Sequence, residues 1–314
     1  MRVAKTRLVK LASRVVLVGL ASLACSGVAL SKDKDDGDDT SAKAAATLPN
    51  IYLDLRTNYA TVPASTLSIG FSSPSLSSAI ATLQSLSTLT NSPTLPTLPT
   101  LSSPSSRSIG VDVPLTVDVS DSVSLYGGFT ASASQSGTSD WSTFTVTSWN
   151  VGFQADLYQQ NGGSIPTITL QSTFTRSVPD SPLATTSFNN VLEFDYALNE
   201  DETRGLLAGS QYTRVEVDSP LAKVHPNIIG YVGGYYQWDN NWKFTGRIGV
   251  QSFGGAQILN VTPFQPFTQP IVRLDLDRMD DNDNRLFGVT AQIAWAPKPS
   301  YQLTIRTPLY AVRN

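Results

Sequence analysis

The chain of 314 residues contains a single histidine, His225, which is therefore its only possible imidazole base. Hydrolytic sites usually need a serine activated by such a base, or a constellation of carboxylates. His225 stands in Pro220-Leu-Ala-Lys-Val-His225-Pro226, which predicts a loop, and a lone histidine beside proline is usually a surface residue. Serine is too abundant to nominate a nucleophile. We therefore predict no catalytic residues and no enzyme.

A dense group of aspartates near the C-terminus is the best candidate for a metal site. It comprises Asp275, Asp277, Asp280, Asp281 and Asp283. Oxygen-rich loops can bind Ca²⁺, but no glycine stands at the sharp-turn position that such loops use. Arginines at 273, 278 and 285 are interleaved and could pair with the acids. A solvated loop is the favoured interpretation and a Ca²⁺ site the alternative, so no metal and no cofactor is predicted.

Other charged residues fall on one side of predicted β-strands, where they alternate with apolar residues. They are Asp112, Asp118, Asp156, Glu193, Asp195, Arg214, Glu216, Lys243, Arg247 and Arg306. If the strands enclose a lumen, opposed acids and bases could create a transverse field that selects passing solutes. Alternatively, the same groups could neutralise one another in a filled interior. Both interpretations stay open, and these ten residues are the lumen-lining candidates.

The strands that must position these groups follow from a period of two in hydrophobicity. Val111, Val113, Leu115, Val117 and Val119 alternate with polar residues or proline, and similar runs recur to the C-terminal region. Successive side chains of a strand point to opposite faces. No segment beyond the apolar N-terminal run shows a helical stripe over three turns, so the chain is predicted to be all-β.

Strand length and aromatic placement predict a membrane barrel. The runs are about 10–15 residues long, whereas soluble strands usually have five or six and tilted membrane-spanning strands about 9–11. Trp242, Trp295 and Tyr301 stand at strand ends, as aromatic residues do where an apolar band meets lipid headgroups. We predict an antiparallel transmembrane β-barrel of about twelve strands. They are 51–60, 65–72, 108–119, 122–134, 142–158, 165–176, 187–198, 204–217, 228–238, 242–253, 286–296 and 300–310.

This set of strands contains a conflict. If both termini face the periplasm, the shortest turns fall on the outer side, whereas short turns normally face the periplasm. Either region 51–72 is miscounted by one strand, or a further strand lies near 270–277.

The first 49 residues are predicted to comprise a signal peptide for export and a disordered linker. Five basic residues within the first fourteen precede a short apolar run and small residues, which is the order of a signal peptide over residues 1–30. Residues 31–49 form an acidic, then alanine-rich, disordered linker, and residues 50–314 form the barrel. Within the barrel, the Ser/Thr/Pro-rich insertion 73–106 is predicted to be a flexible loop or, alternatively, a segment that narrows the barrel mouth.

Composition excludes nucleic-acid binding. The net charge of the full chain is −3, and it is more negative still without the basic N-terminus. Binding to nucleic-acid phosphates needs positive charge. Charged residues make up only 15% of the chain, below the roughly 25% of soluble domains.

Two units of long aromatic strand, short polar turn and long strand carry a resemblance to a known family. One is Trp295-Ala-Pro-Lys-Pro-Ser-Tyr-Gln-Leu-Thr-Ile305, and the other runs from Tyr231 through Asp239-Asn-Asn241 to Val250. Over roughly 107–310 the chain resembles Gram-negative outer-membrane porin and transporter barrels, including transporters of the phenol meta-degradation pathway.

The resemblance implies a cell outer-membrane location and passive passage of small solutes. The lipid bilayer, lipopolysaccharide and the barrel-assembly machinery are the expected partners, and the oligomeric state stays open. A structural or interaction barrel with a plugged lumen is the alternative function. An outer-membrane lipid-modifying enzyme that uses His225 is the weakest hypothesis.

Overall fold

The fold is taken from a computed structural model that describes residues 49–64, 105–178, 184–220, 222–258, 261–264, 266–280, 285–295 and 298–312. The predicted signal peptide and most of the linker and of the insertion 73–106 lie outside these residues. In the described part of the chain, no helix has the length and apolar character needed to cross a membrane.

Twelve antiparallel strands form a closed barrel in which each strand pairs with its neighbours, and the last pairs with the first. Their lengths of 11–15 residues match the sequence prediction for membrane-spanning strands. The barrel strands are β1 (Ile51–Val62), β2 (Ser106–Ser120), β3 (Val123–Ser136), β4 (Thr145–Tyr158), β5 (Thr167–Ser177), β6 (Thr185–Ala197), β7 (Arg204–Val217), β9 (Asn227–Gln237), β10 (Trp242–Phe253), β13 (Phe267–Met279), β14 (Arg285–Trp295) and β15 (Pro299–Val312).

Three short strands form a separate small sheet in the order β12-β11-β8. They lie in the connections between β7 and β9 and between β10 and β13. They are β8 (Ala222–Val224), β11 (Ala256–Ile258) and β12 (Val261–Phe264).

The predicted number of barrel strands is confirmed, and the structure resolves the conflict over turns for two of the three short connections. Strand β13 (Phe267–Met279) covers the suspected extra strand near 270–277, whereas the predicted strand 65–72 lies outside the described residues. With β13 in place, Ile51 and Val312 pair at one end of the barrel, here called the terminus end. The short turns 121–122 and 238–241 lie at that end. At the opposite end, here called the loop end, β1 and β10 finish and β2 and β13 begin, and the short step from β14 to β15 is also made there.

The turn 238–241 shows how the sequence closes such a short connection. The Trp238 amide donates to the Trp242 carbonyl at 2.8 Å, and the Asn241 amide donates to the Trp238 carbonyl at 2.9 Å. Asn241 has a φ of 62°, a conformation that asparagine adopts more readily than most residues. The turn therefore sets the register between β9 and β10.

The two faces of the barrel wall have the opposite polarity to those of a soluble barrel. Ile248 is 59% exposed and Val232 is 57% exposed, whereas Gln251 is 0% and Gln269 is 1% exposed. Large apolar groups are normally buried and amides exposed in water-soluble proteins. An apolar outer face and a polar interior therefore identify a barrel whose outer surface contacts lipid.

Aromatic side chains on the outer face are placed as predicted. Trp242 begins β10, and Trp295 ends β14. Near the loop end, Trp149 and Phe174 have ring centroids 5.3 Å apart, and Phe174 and Phe188 5.2 Å apart. This row spans β4, β5 and β6, and such aromatic bands mark the boundary of the apolar belt.

Candidate functional site

The barrel encloses one large cavity of about 1140 Å³ among the described residues. On the side of β2–β6 the lining extends from Ser142 and Thr143, in the connection at the loop end, to Ser124, next to the first residue of β3 at the terminus end. This side of the cavity therefore follows nearly the full length of the strands.

The wall formed by β2–β6 presents mainly hydroxyl and amide groups. Tyr126 lies across β4, where Gly152 leaves room: a Cβ at position 152 would stand 2.6 Å from the Tyr126 hydroxyl. From there Tyr126 contacts the Thr173 hydroxyl at 2.7 Å and accepts a hydrogen bond from Gln171 Nε2 at 3.1 Å. This wall, here called the hydroxyl wall, can exchange hydrogen bonds with a polar solute, and its charged lining groups are the carboxylates of Asp112, Glu193 and Asp195.

The opposite wall is basic. In the described part of the lining, every lysine and arginine belongs to the five adjacent strands β10, β13, β14, β15 and β1, which we call the basic arc. These residues are Arg56, Lys243, Arg247, Arg273, Arg285 and Arg306. Five acids line the same described cavity, namely Asp112, Glu193, Asp195, Asp275 and Asp277. Only Asp275 and Asp277 belong to the arc, so the arc carries an excess of positive charge.

Asp275 is the acceptor around which the arc is organised. Its side chain is only 4% exposed and receives Arg273 Nε at 2.9 Å and Arg247 Nη1 at 3.0 Å. Arg306 Nη2 lies farther away, at 3.4 Å, and the Thr290 hydroxyl also donates to this carboxylate. One carboxylate thus contacts three guanidinium groups, which come from β10, from β13 itself and from β15.

Glu193 extends this network across three strands. It accepts from Arg247 Nε at 3.2 Å and from the Tyr231 hydroxyl at 2.7 Å. The Tyr231 side chain lies over Gly209 of β7, where an added Cβ would stand 2.5 Å from the hydroxyl. Because Gly209 of β7 has no side chain, Tyr231 of β9 and Arg247 of β10 can both reach Glu193 of β6.

Three further charged lining residues, Asp112, Asp277 and Arg285, have hydrogen-bond partners outside this network. Asp277 accepts from Arg285 Nε at 2.8 Å. Asp112 accepts from Asn58 Nδ2 at 3.2 Å and from the Thr130 hydroxyl. These pairs fix side-chain positions on either wall of the cavity.

Toward the loop end, the β9–β13 side of the interior is filled. Asn227, Gln251 and Gln269 are almost fully buried and are connected by two amide hydrogen bonds of 2.8 Å. Ile229 and Ile271 are fully buried beside them, and none of these five residues belongs to the cavity lining. At the loop end, the open part of the lumen therefore runs along the hydroxyl wall. Nearer the terminus end, it also borders the basic arc.

Six of the ten residues predicted from sequence line the cavity, and two stand at its rim. Asp118 accepts from the Ser124 hydroxyl at 2.6 Å, and Asp156 accepts from the Thr169 hydroxyl at 2.9 Å, both near the terminus end. The lining residues are Asp112, Glu193, Asp195, Lys243, Arg247 and Arg306.

Arg214 and Glu216 do not face the lumen, contrary to the prediction. In β7 the buried inner positions include Gln211, Thr213 and Val215, which puts Arg214 and Glu216 on the outer face. They pair there at 2.7 Å, with more than half of each side chain exposed. The prediction failed because the outer face of a barrel strand also becomes polar beyond its apolar belt, so polarity alone does not assign the face.

Sequence reasoning missed Arg56, Arg273, Asp275, Asp277 and Arg285 as lining residues. The solvated-loop interpretation is wrong for Asp275 and Asp277, since both are inner residues of β13, whereas the alternative of a further strand near 270–277 is confirmed. A signal was present, because Val272, Leu274 and Leu276 alternate with Arg273, Asp275 and Asp277. The predicted pairing of interleaved arginines with these acids is confirmed for Arg273 and Arg285.

Of the other chemical candidates, His225 lies away from this network. His225 lies in the connection between β8 and β9, donates its amide to the Gly255 carbonyl at 2.9 Å and does not line the cavity. Asp281 and Asp283 lie outside the described residues. Within the described residues, no group of three or more His, Cys, Asp or Glu side chains could hold a metal ion.

The closed antiparallel barrel, its apolar outer face and its polar interior define the class of outer-membrane β-barrels. No protein-family model matches the chain, and no curated protein does. Among solved structures, the chain is similar to the COG4313 outer membrane channel from Pseudomonas putida F1. Identity is 11%, the match covers 87% of this chain and 100% of the other, and the TM-score is 0.51.

Two further solved structures are similar to the chain with lower TM-scores. The translocator domain of the autotransporter NalP from Neisseria meningitidis is 11% identical with a TM-score of 0.43, covering 84% of this chain and 90% of that one. The CymD monoaromatic hydrocarbon channel is 10% identical with a TM-score of 0.35, covering 82% and 87%. At such identities the similarity concerns the fold alone.

Proposed function

We propose that this protein is a passive channel for small polar solutes in the outer membrane of a Gram-negative-type cell. The observation that carries the proposal is the cavity of about 1140 Å³, lined by hydroxyl, amide and charged groups and enclosed by strands with an apolar outer face. A solute in this lumen can replace part of its hydration shell with the wall's hydrogen bonds. The fold shared with a protein named as an outer membrane channel agrees with this role.

The lipid bilayer is the proposed surrounding of the outer face, with lipopolysaccharide and the barrel-assembly machinery as further partners. We propose no enzymatic activity, because the one histidine lies outside the cavity lining. The ten residues predicted from sequence reduce to eight candidates for solute selection, since Arg214 and Glu216 face outward. The six that line the cavity are the stronger candidates.

A structural or interaction barrel is the second candidate, and the filled loop end supports it. Asn227, Gln251 and Gln269 join into a buried amide ladder that narrows the interior there. The insertion 73–106 is the second support, if it is the segment that narrows the barrel mouth rather than a flexible loop. In that case the lumen would conduct little, and the protein would act through its loops.

Liposome permeation separates the two candidates. The full chain, folded into liposomes, is expected to admit small uncharged sugars, which liposomes without protein exclude. A variant that lacks residues 73–104 provides the comparison, and a heat-dependent shift in gel mobility checks that both are folded. Permeability of the full chain supports the channel. Permeability that appears only in the deletion variant supports the plugged barrel, and permeability in neither contradicts the channel proposal.

A further inference from the structure

The lumen contains two pairs of arginines that directly oppose each other on adjacent strands. Arg247 of β10 is in register with Arg273 of β13, and Arg56 of β1 is in register with Arg306 of β15. Like charges directly opposite on one face of a sheet destabilise the pair unless a counter-charge lies between them. The two pairs differ in how far the protein supplies that counter-charge.

The first pair is well compensated by the protein itself. Asp275 accepts from Arg273 at 2.9 Å and from Arg247 at 3.0 Å, and Glu193 accepts from Arg247 at 3.2 Å. Two carboxylates at hydrogen-bonding distance thus serve two guanidinium groups. Arg285, the next cation along the wall, has Asp277 at 2.8 Å.

The second pair has weaker compensation within the described residues. Asp112 of β2 is in register with Arg56 and attracts it electrostatically, but its carboxylate accepts its hydrogen bonds from Asn58 and Thr130. The nearest carboxylate oxygen is 3.4 Å from Arg306, and it belongs to Asp275, which already serves the first pair. The nearest to Arg56 is Asp54, at 3.6 Å. In addition, Arg56 Nε is buried without a hydrogen-bond partner. Charge-assisted hydrogen bonds normally span about 2.7–2.9 Å, so both contacts are loose.

Arg306 also lies within electrostatic reach of three other arginines. Its charge is opposed by Arg285, Arg273 and Arg56 and favoured by Asp275. Both Arg56 and Arg306 line the cavity, and each sits near the middle of its strand. Across the lumen stands the hydroxyl wall, which lacks lysine and arginine in the described lining and carries the carboxylates of Asp112, Glu193 and Asp195, so positive and negative charge face each other across the cavity.

We propose that Arg56 and Arg306 form an oxyanion-binding position in mid-lumen and that the channel consequently prefers small solutes bearing a carboxylate or phosphate group. The inference rests on the proposed channel function and specifies its solute class. An oxyanion between the two guanidinium groups adds a close counter-charge to the looser ones of Asp54, Asp112 and Asp275, and it occupies the unpartnered Nε donor of Arg56. The hydroxyl wall receives the uncharged part of the solute.

Ion selectivity in planar bilayers tests the proposal. Under a KCl gradient, the reversal potential of the full chain is expected to show chloride passing more readily than potassium. In Arg56→Gln/Arg306→Gln the permeability ratio should fall on the order of fivefold, the effect of one screened contact at about 4 Å. Arg214→Gln removes a charge from the outer face and should leave the ratio unchanged. Gel mobility before and after heating checks that each variant is folded.

A second measurement does not depend on conduction. In detergent micelles, inorganic phosphate or acetate should raise the urea midpoint, relative to equal chloride, by more in the folded chain than in the double variant. The rise in the double variant measures the general stabilisation by the salt, and the excess over it measures binding at Arg56 and Arg306. An excess with phosphate alone assigns the position to phosphate groups, and an excess with acetate assigns it to carboxylates as well.

The outcomes separate the two proposals. A chain that conducts but prefers potassium, or a double variant that keeps the wild-type ratio, overturns the anion preference and leaves the channel intact. A chain that does not conduct contradicts the channel, and the micelle measurement then decides the binding position. An excess with neither anion overturns that position.

Discussion

Asp275 illustrates how single residues organise the lumen. Its carboxylate is 4% exposed and lies within 3.4 Å of nitrogens from Arg247, Arg273 and Arg306. Three guanidinium groups so close together would repel one another if this charge were absent. The position of the basic arc therefore depends on one acid that faces inward from β13.

We predict that Asp275→Asn lowers the free energy of unfolding by roughly 3 kcal/mol, the lower end of the range for removing one partner of a buried ion pair, because the cavity admits water. Asparagine keeps the shape but leaves three arginines with only Glu193 nearby. Urea unfolding in detergent micelles measures the change.

Glu216→Gln is the matched control, since it also removes one carboxylate that pairs with an arginine. Both partners of that pair are more than half exposed, so we expect a change below about 1 kcal/mol. Equal losses in the two variants would show that the buried network does not hold the arc together.

The sequence predicted part of this network and could not predict the rest. Glu193 and Arg247 were both identified as inner residues from the alternation of their strands. Their contact at 3.2 Å joins β6 to β10 across two intervening strands, and no local pattern records such a distance. It depends on Gly209 and on the reach of the surrounding side chains, which are properties of the closed barrel.

At the scale of elements, β7 and β9 show why glycines stand on the inner face. Gly209 is paired with Tyr231 in register, and the tyrosine ring covers the space that a side chain would fill. Its hydroxyl then reaches Glu193 of β6 at 2.7 Å. A strand without a side chain at this point lets its two neighbours interact directly.

We predict that Gly209→Ala destabilises the barrel by roughly 1–3 kcal/mol, the usual cost of overpacking a well-packed site. The new methyl group would stand 2.5 Å from the Tyr231 hydroxyl and 2.8 Å from the Leu192 carbonyl, so the backbone must shift. The urea midpoint measures the effect.

Gly230→Ala on the adjacent strand is the control, because a Cβ at position 230 meets nothing within 4 Å. We expect its midpoint to stay close to that of the wild type. A Gly209→Ala barrel as stable as Gly230→Ala would contradict the close approach of Tyr231 to β7.

Most strands could be predicted because alternation is a local property of the chain. The error at β13 arose because Asp275 and Asp277 were grouped with the following aspartates as a loop. Their alternation with Leu274 and Leu276 was the correct signal. The faces of Arg214 and Glu216 could not be assigned by polarity, because the depth of a strand in the membrane determines where its outer face becomes polar.

For the whole molecule, closure of the barrel gives each face its role. Closure removes exposed strand edges, the outer face meets lipid, and the inner face surrounds a polar cavity. The sequence predicted the fold class and the number of strands. It could not predict that the cations gather on one arc, because that arrangement follows from which strands become neighbours.

The central claim is that the polar lumen is a water-filled passage through a lipid-embedded wall. Its most direct test compares single cysteines at Asn150, which lines the cavity, and at Val232, which is 57% exposed on the outer face. Both are introduced with Cys25 replaced by serine, and current through planar bilayers is recorded before and after a charged, membrane-impermeant thiol reagent is added. We predict that the reagent reduces the current of Asn150→Cys and leaves that of Val232→Cys unchanged. Absence of current, or equal responses at the two positions, would contradict the account.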